Sequence, residues 1–318
     1  MKYYFWIIIA ALILFQAIAY ILWRIAFKSP NKTQNNDHFI GDSEQIKPIS
    51  DKVICLIDEM NAIPYETAEI ISYDGYKLHG RLYVGNIDAP FIICCHGYRG
   101  TPSRDFCGGF KVMRDLGMNL LLIEQRAHKS SEGISITMGV KERKDCVDWI
   151  NYINKRFGSD RNIILCGISM GAATVLMTSG MKLPLNVKGI IADSPYTSPR
   201  SIVLQVLKQM KLPSHLCYLF LTVGSWLFGD FNLNDLSADV EKAVFKSNLP
   251  ILLIHGTSDS FVPVEMSERI SRQSSLVEFH KFEKAGHGLS YITDPERYKE
   301  VITAFIKRLL FESHLITE

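Results

Sequence analysis

Five short apolar runs constrain the fold of this chain more than any other feature: "FIICCHG", "NLLLIE", "NIILCG", "KGIIAD" and "PILLIHG". A strand with one face in water alternates apolar and polar residues. A strand that is apolar throughout must be covered on both faces, as in a parallel sheet wrapped by helices. Helix-like stretches separate or follow these runs, at 105–116, 139–157, 170–181, 264–274 and 295–311. The alternation predicts a mostly parallel sheet flanked by helices. Upstream, "AEIISY" and "YKLHGRLYV" flank Asp74-Gly75, a hairpin signal that makes the first pair of strands antiparallel. "LVEFHKF" supplies the last strand, which brings the sheet to eight.

One segment breaks the rhythm. Residues 196–248 lie between "KGIIAD" and "PILLIHG" and contain "IVLQVLKQM" and "HLCYLFLTVGSWLFGDF". They are too long and too apolar for a plain loop. An insertion at the carboxyl end of a parallel strand stands beside the ligand edge of the sheet, so it reads as a helical lid. A larger structural crossover is the alternative.

The first residues are a different material. From Tyr3 to Trp23 there is no charge, and Gln16 is the one strongly polar side chain. At ~1.5 Å per residue this run spans roughly 30 Å, the hydrocarbon thickness of a bilayer. Tyr3, Tyr4, Trp6, Tyr20 and Trp23 stand near its two ends, where aromatic belts belong. The preferred reading is an uncleaved, single-pass N-terminal transmembrane helix. The alternatives are a signal peptide cut near Ala17-Ile18-Ala19 and a buried core helix. Lys2 flanks one side, and Arg24, Lys28 and Lys32 flank the other, which leaves the side of the membrane open. The chain therefore divides into an anchor and its flank at 1–28, a polar linker at 29–50 and an α/β domain at 51–318. Within the last, "DKVICLIDEMNAI" carries a helical apolar stripe that packs on the domain or lies near the membrane.

Charge excludes one class of partner. With 35 basic and 33 acidic residues the formal charge is +2, and no basic stripe suggests nucleic acid. The seven cysteines form no C-x-x-C pair and read as small buried hydrophobes. Neither a metal-ligand spacing nor a G-x-G-x-x-G pattern occurs, so no metal or cofactor is expected.

The chemistry concentrates after the strands. Gly167-Ile168-Ser169-Met170-Gly171 follows "NIILCG" and precedes a small-residue helix. Small faces at Gly167 and Gly171 let a tight strand-turn-helix close, the context of a nucleophile elbow. A serine hydroxyl needs a base to take its proton, an acid to orient that base and donors for the developing oxyanion. His287, in "KAGHGLS" after the last strand, is the candidate base. Asp259, after "LLIHG", is the preferred acid, with Asp193 as its rival. The oxyanion donors are the backbone N–H groups of Met170 and of Tyr98, with Gly97 allowing the loop after "FIICC" to approach closely. Arg99 faces either an anionic substrate group or solvent. His255 reads as structural and His128 as a loop residue. His79, His215 and His280 lack supporting context, and Glu283 and Asp294 read as surface charge.

In the order "HGYRG", "GISMG", "HGTSDSFVP", "AGHG", the chain resembles the α/β-hydrolase superfamily over residues 68–312. The likeness is to lidded esterases and peptidase-like hydrolases, some of them membrane-anchored, in which "ADSPYTS" leads into the lid. The resemblance implies an α/β-hydrolase fold and a serine hydrolase. Relatives often carry Asp-Arg-Gly-His-Gly-x-Ser after the fourth strand. Here Arg126, His128 and Ser130 match within "EQRAHKS", while the acid and glycines do not. The expected activity is hydrolysis of a carboxylic ester, thioester or amide, with a small-molecule or lipid-like ester as the favoured partner because the lid is apolar. Acyl transfer and peptide cleavage use the same three groups, and a non-catalytic binding protein would be expected to have lost one of them.

Overall fold

The computed structural model describes residues 2–29, 36–38 and 46–315. Most of the 29–50 segment therefore lies outside the described residues. Its last part enters a 3-10 turn, Lys47–Ile49. Its middle residue Asp37 is pinned, 2.6 Å from Lys129 and 3.3 Å from Arg81.

Eight strands form one sheet. They are β1 (Glu66–Ile71), β2 (Lys77–Tyr83), β3 (Phe91–Cys95), β4 (Asn119–Ile123), β5 (Ile163–Ile168), β6 (Val187–Asp193), β7 (Ile251–Gly256) and β8 (Val277–Phe282). The spatial order is β1-β2-β4-β3-β5-β6-β7-β8. β1 pairs antiparallel with β2 through the Asp74-Gly75 turn, and β2 pairs antiparallel with β4. Every later pairing is parallel.

Residues along the central strands alternate between two cores. Ile93, Cys95, Leu165, Ala192 and Leu253 enter one, and Ile92, Cys94, Cys166, Ile191 and Leu252 enter the other. This is why the strands are apolar throughout: each side chain meets a helix on one face or the other. The second core is closed by α2 (Ser50–Asn61), α3 (Pro102–Asp115) and α11 (Pro295–Leu315), the last preceded by the short α10 (Ser290–Thr293). The α2 stripe packs on the domain through Val53, Ile57 and Met60. The first core is closed by α4 (Glu142–Phe157), α5 (Met170–Ser179) and α9 (Val264–Ser271).

Residues 196–248 hold three helices, α6 (Pro199–Gln209), α7 (Ser214–Leu227) and α8 (Val240–Lys246). Ser198 and Ser201 cap α6 reciprocally, and Pro199 presets its first turn. Ahead of everything runs α1 (Lys2–Ala26), the one described helix long and apolar enough to cross a membrane. Its first half is exposed. Its second half buries one face: Ala19 and Trp23 are buried, as is Phe27 just beyond the helix, while Ile21 and Ile25 stay exposed.

Candidate active site

β5 ends at Ile168 and α5 begins at Met170, so Ser169 makes the turn alone. It holds φ 56° and ψ −117°. That backbone is costly for a residue with a Cβ and persists only where the surroundings dictate it. The surroundings are the two glycines. A Cβ on Gly171 would collide with the carbonyl of Cys95 at the end of β3, and one on Gly167 with the backbone of Gly171. Bare backbone at both positions lets α5 start hard against the sheet.

The structure brings Ser169, His287 and Asp259 together. Ser169 Oγ lies 2.8 Å from His287 Nε2, and His287 Nδ1 lies 2.7 Å from Asp259 Oδ2. Burial by itself would raise the pKa of Asp259. Hydrogen bonds from His255 and His287, together with their charge, outweigh it and hold the carboxyl well below the usual carboxylate range. An ionised carboxylate only accepts, so Nδ1 of His287 carries the proton and the Nε2 lone pair faces the serine. The other oxygen of Asp259 accepts the N–H groups of Phe261 and Val262 at 2.9 and 2.8 Å. His255 is buried, with Ser267 Oγ at 2.6 Å, the Val262 carbonyl at 2.9 Å and Asp259 Oδ2 at 3.2 Å. It braces the acid from behind.

Asp193, the rival acid, ends β6 beneath the elbow. Its backbone carbonyl accepts the Ser169 N–H at 2.8 Å. Its carboxylate accepts from Ser194 Oγ at 2.9 Å and Ser290 Oγ at 3.4 Å, so it faces hydroxyls. Burial pushes its pKa up to about 6.

The expected oxyanion donors come from two segments forced into contact. Met170 is the first residue of α5, and a helix start leaves its first amides without intrahelical acceptors. The loop carrying Tyr98 runs against the elbow: a Cβ on Gly97 would stand 3.2 Å from Ser169 Cβ. This loop is held by groups that sequence reasoning missed. The Gly97 N–H donates to Asp105 Oδ2 at 2.6 Å. His128 is a strut rather than an ordinary loop residue. Its Nδ1–H donates to the Arg126 carbonyl at 2.8 Å, and its Nε2 accepts the Arg99 N–H at 3.1 Å. His96 repeats the arrangement, donating to the Gly97 carbonyl at 2.8 Å and accepting the Gln125 N–H at 3.0 Å. Burial lowers both imidazoles to about 3, so each stays neutral with one donor and one acceptor. The signal was the match of Arg126 and His128 to the family stretch. Arg126 itself is buried between Asp74 and Asp145.

Tyr98 and Arg99 also reach backwards. Tyr98 Oη donates to the Ala26 carbonyl at 2.7 Å, and Arg99 Nη2 donates to the Ile25 carbonyl at 2.6 Å. These are terminal carbonyls of α1, which lack intrahelical donors. Arg99 thus has a backbone partner at the end of α1. On the far side of the site, Gln209 at the end of α6 donates to the carbonyls of Ser260 and Phe261 at 2.8 and 3.2 Å. The Phe261 ring lies edge-on to His287, 5.1 Å between centroids. His79 and His280 pair with Glu69 and Glu278 away from the elbow.

A protein-family model, the prolyl oligopeptidase family, matches residues 110–312. The chain is 26% identical over 254 residues to the uncharacterised protein YqkD of Bacillus subtilis, covering 77% of this chain and 80% of that one. It is 25% identical over 199 residues to the lysophosphatidylserine lipase ABHD12 of Danio rerio, covering 60% of this chain and 50% of that one. Among solved structures, the Pyrococcus furiosus esterase Pf2001 superposes with a TM-score of 0.64 at 23% identity, over 79% of this chain and 94% of that one.

Proposed function

The chain belongs to the prolyl oligopeptidase family, a hydrolase of α/β-hydrolase fold, and from that footing we propose that it is a membrane-anchored serine hydrolase. In this reading it cleaves a carboxylic ester with a hydrophobic acyl or alcohol group through an acyl-enzyme. The observation that carries the reading is the unbroken contact chain from Ser169 Oγ through His287 to the buried carboxylate of Asp259. Ser169 Oγ attacks the carbonyl carbon while His287 Nε2 takes its proton. The N–H groups of Tyr98 and Met170 receive the negative charge that forms on the carbonyl oxygen. As the intermediate collapses, His287 returns the proton to the departing alcohol. Water then repeats the sequence and releases the acid. Asp259 holds the imidazole in the required tautomer and favours its transient positive charge.

α6 and α7 act as the lid of this site. An ester is favoured over a peptide because α7 carries no Asp, Glu, Lys or Arg and offers an extended peptide few polar partners. α1 acts as an uncleaved anchor. Trp23 and Phe27 belong to the same core as the lid, and the Trp23 indole donates to Ser135 Oγ at 3.0 Å.

A fluorophosphonate probe followed by peptide mass spectrometry tests the nucleophile. The expected result is one adduct, on Ser169. Labelling that survives in Ser169→Ala would remove the assignment. Turnover of that variant should fall on the order of 10⁶-fold if the three groups act as a unit.

A further inference from the structure

α1 and α7 run side by side in the same direction. Phe15 stacks on Phe220 with ring centroids 4.6 Å apart, and Tyr20 and Trp23 meet Phe228 at 5.2 and 6.1 Å. Phe27 meets Phe231 at 5.2 Å. Between these rings the backbones touch: a Cβ on Gly224 would lie 2.5 Å from the Ala19 carbonyl and 2.8 Å from Trp23 Cβ. Small residues that let two apolar helices meet backbone to backbone are typical of helix pairs in lipid.

The pairing leaves two facts unexplained by a simple anchor. First, the part of α1 free of the domain, Tyr3 to Leu14, is on the order of 18 Å long, against a hydrocarbon core of roughly 30 Å. A spanning α1 must take some of its docked half, and therefore its partner, into the lipid. Second, α7 presents an apolar face to solvent. Leu216 is 54% exposed, Leu219 50%, Trp226 71% and Leu227 42%, and the adjoining turn adds Met210 and Leu212. These α7 positions recur at helical spacing on one side, opposite the buried Tyr218, Leu221 and Ser225. Arg24 and Lys28, at the foot of α1 beside the end of α7, are exposed. Long basic side chains beside an apolar face suit anionic headgroups.

We propose that the exposed face of α7, centred on Leu216, Leu219 and Trp226, is a bilayer-contacting surface, seated in the same membrane as α1. The lid then faces lipid, and its α6 end, pinned to the Ser260-Phe261 backbone beside His287, opens the site towards ester substrates held in the bilayer. This rests on reading α1 as a membrane helix, and the experiment separates the two. In the full chain carrying Cys55→Ser and Cys217→Ser, single cysteines at Leu12, Leu216, Leu219, Trp226 and the exposed Asp160 are labelled with an environment-sensitive fluorophore. The proteins are reconstituted in phosphatidylcholine–phosphatidylglycerol vesicles, with retained hydrolysis of a soluble short-chain ester as the check of folding. Doxyl-lipid quenching and a blue shift at 216, 219 and 226 as well as at 12, with only iodide quenching at 160, is the expected result. Quenching at 12 with iodide-accessible α7 sites overturns the proposal and leaves the anchor standing. No lipid quenching at 12 or on α7 overturns both. Protection of the α7 sites from lipid quencher and iodide alike assigns the face to a second copy of the chain and also overturns the proposal. As an independent readout, Leu216→Glu with Leu219→Glu should lose hydrolysis of vesicle-borne ester while turnover of the soluble ester is retained. Equal rates on both substrates would count against it.

Discussion

Asp193 ends β6 and Asp259 follows the neighbouring parallel strand β7, yet their surroundings drive them in opposite directions. Asp259 is held ionised by hydrogen bonds from His255 and His287, whereas Asp193 is hydrogen-bonded by hydroxyls and is raised to about 6 by burial, which outweighs the pull of the two histidines. An acid whose pKa rises on folding stabilises the fold while it is protonated in both states. That contribution is complete below about pH 4 and is lost as the pH climbs to about 6. Asp193→Asn should therefore be more stable than the parent above pH 6, on the order of 2 kcal/mol, with the difference gone by pH 4. Urea denaturation across that range measures it, and turnover should stay within a few-fold. Asp259→Asn should instead lose on the order of 10⁴-fold in turnover, because a neutral amide no longer selects the imidazole tautomer. A reversal of the two activity results would move the acid to Asp193. Asp105 poses a separate question, since it accepts the Gly97 N–H and pairs with Arg104 without touching the three reacting groups' hydrogen bonds. Asp105→Ala should free the loop that presents Tyr98 and cut turnover roughly 10²-fold, the scale of losing one oxyanion donor. Comparable fluorophosphonate labelling rates in the two proteins would argue against that.

The strand elements were legible because each buried strand announces itself as a continuous apolar run, and the chemistry follows the ends of those runs. Ser169 and Asp259 stand just past such runs and His287 past the mixed last strand, so their convergence needs only neighbouring strands of a parallel sheet. The elbow was legible through Gly167 and Gly171, whose missing side chains are a local property of the sequence. The supports were not. His128 and Asp105 act through backbone N–H groups on another segment, and a hydrogen bond to a peptide group leaves no mark on the partner's residue type. The α7 stripe was read only as apolar, since periodicity cannot distinguish a face turned to the core from one turned outwards. The elbow makes its own prediction at this scale. Gly171→Ala drives a methyl into the Cys95 carbonyl, a backbone atom that cannot rotate away. It should cost about 3 kcal/mol or more, or prevent folding. A measured loss under 1 kcal/mol would mean that α5 can shift from the sheet.

At the scale of the whole molecule, α1 and the candidate site are one mechanical unit. The last carbonyls of α1 are satisfied by Tyr98 Oη and by Arg99, and Tyr98 is the same residue whose N–H we propose as an oxyanion donor. The two ends of this connection are 72 residues apart in the chain, which is why nothing in the local sequence hints at it. In the proposed membrane-anchored form, α1 thereby holds the loop proposed to bind the oxyanion, and a disturbance of α1 reaches Tyr98 and Arg99 through two hydrogen bonds. Tyr98→Phe keeps the ring and the N–H but removes the bond to α1. A single intramolecular hydrogen bond contributes about 1 kcal/mol, so turnover should fall roughly fivefold to tenfold if that bond positions the loop. Arg99→Ala should act similarly. The double variant should lose less than the product of the two, because either break frees the same loop. Turnover of a soluble ester by the full chain in vesicles measures all three without involving lipid extraction. Parent-like rates in the double variant would show that α1 is tethered to the site without steering it. A non-additive loss would make α1 part of the apparatus that orients Tyr98.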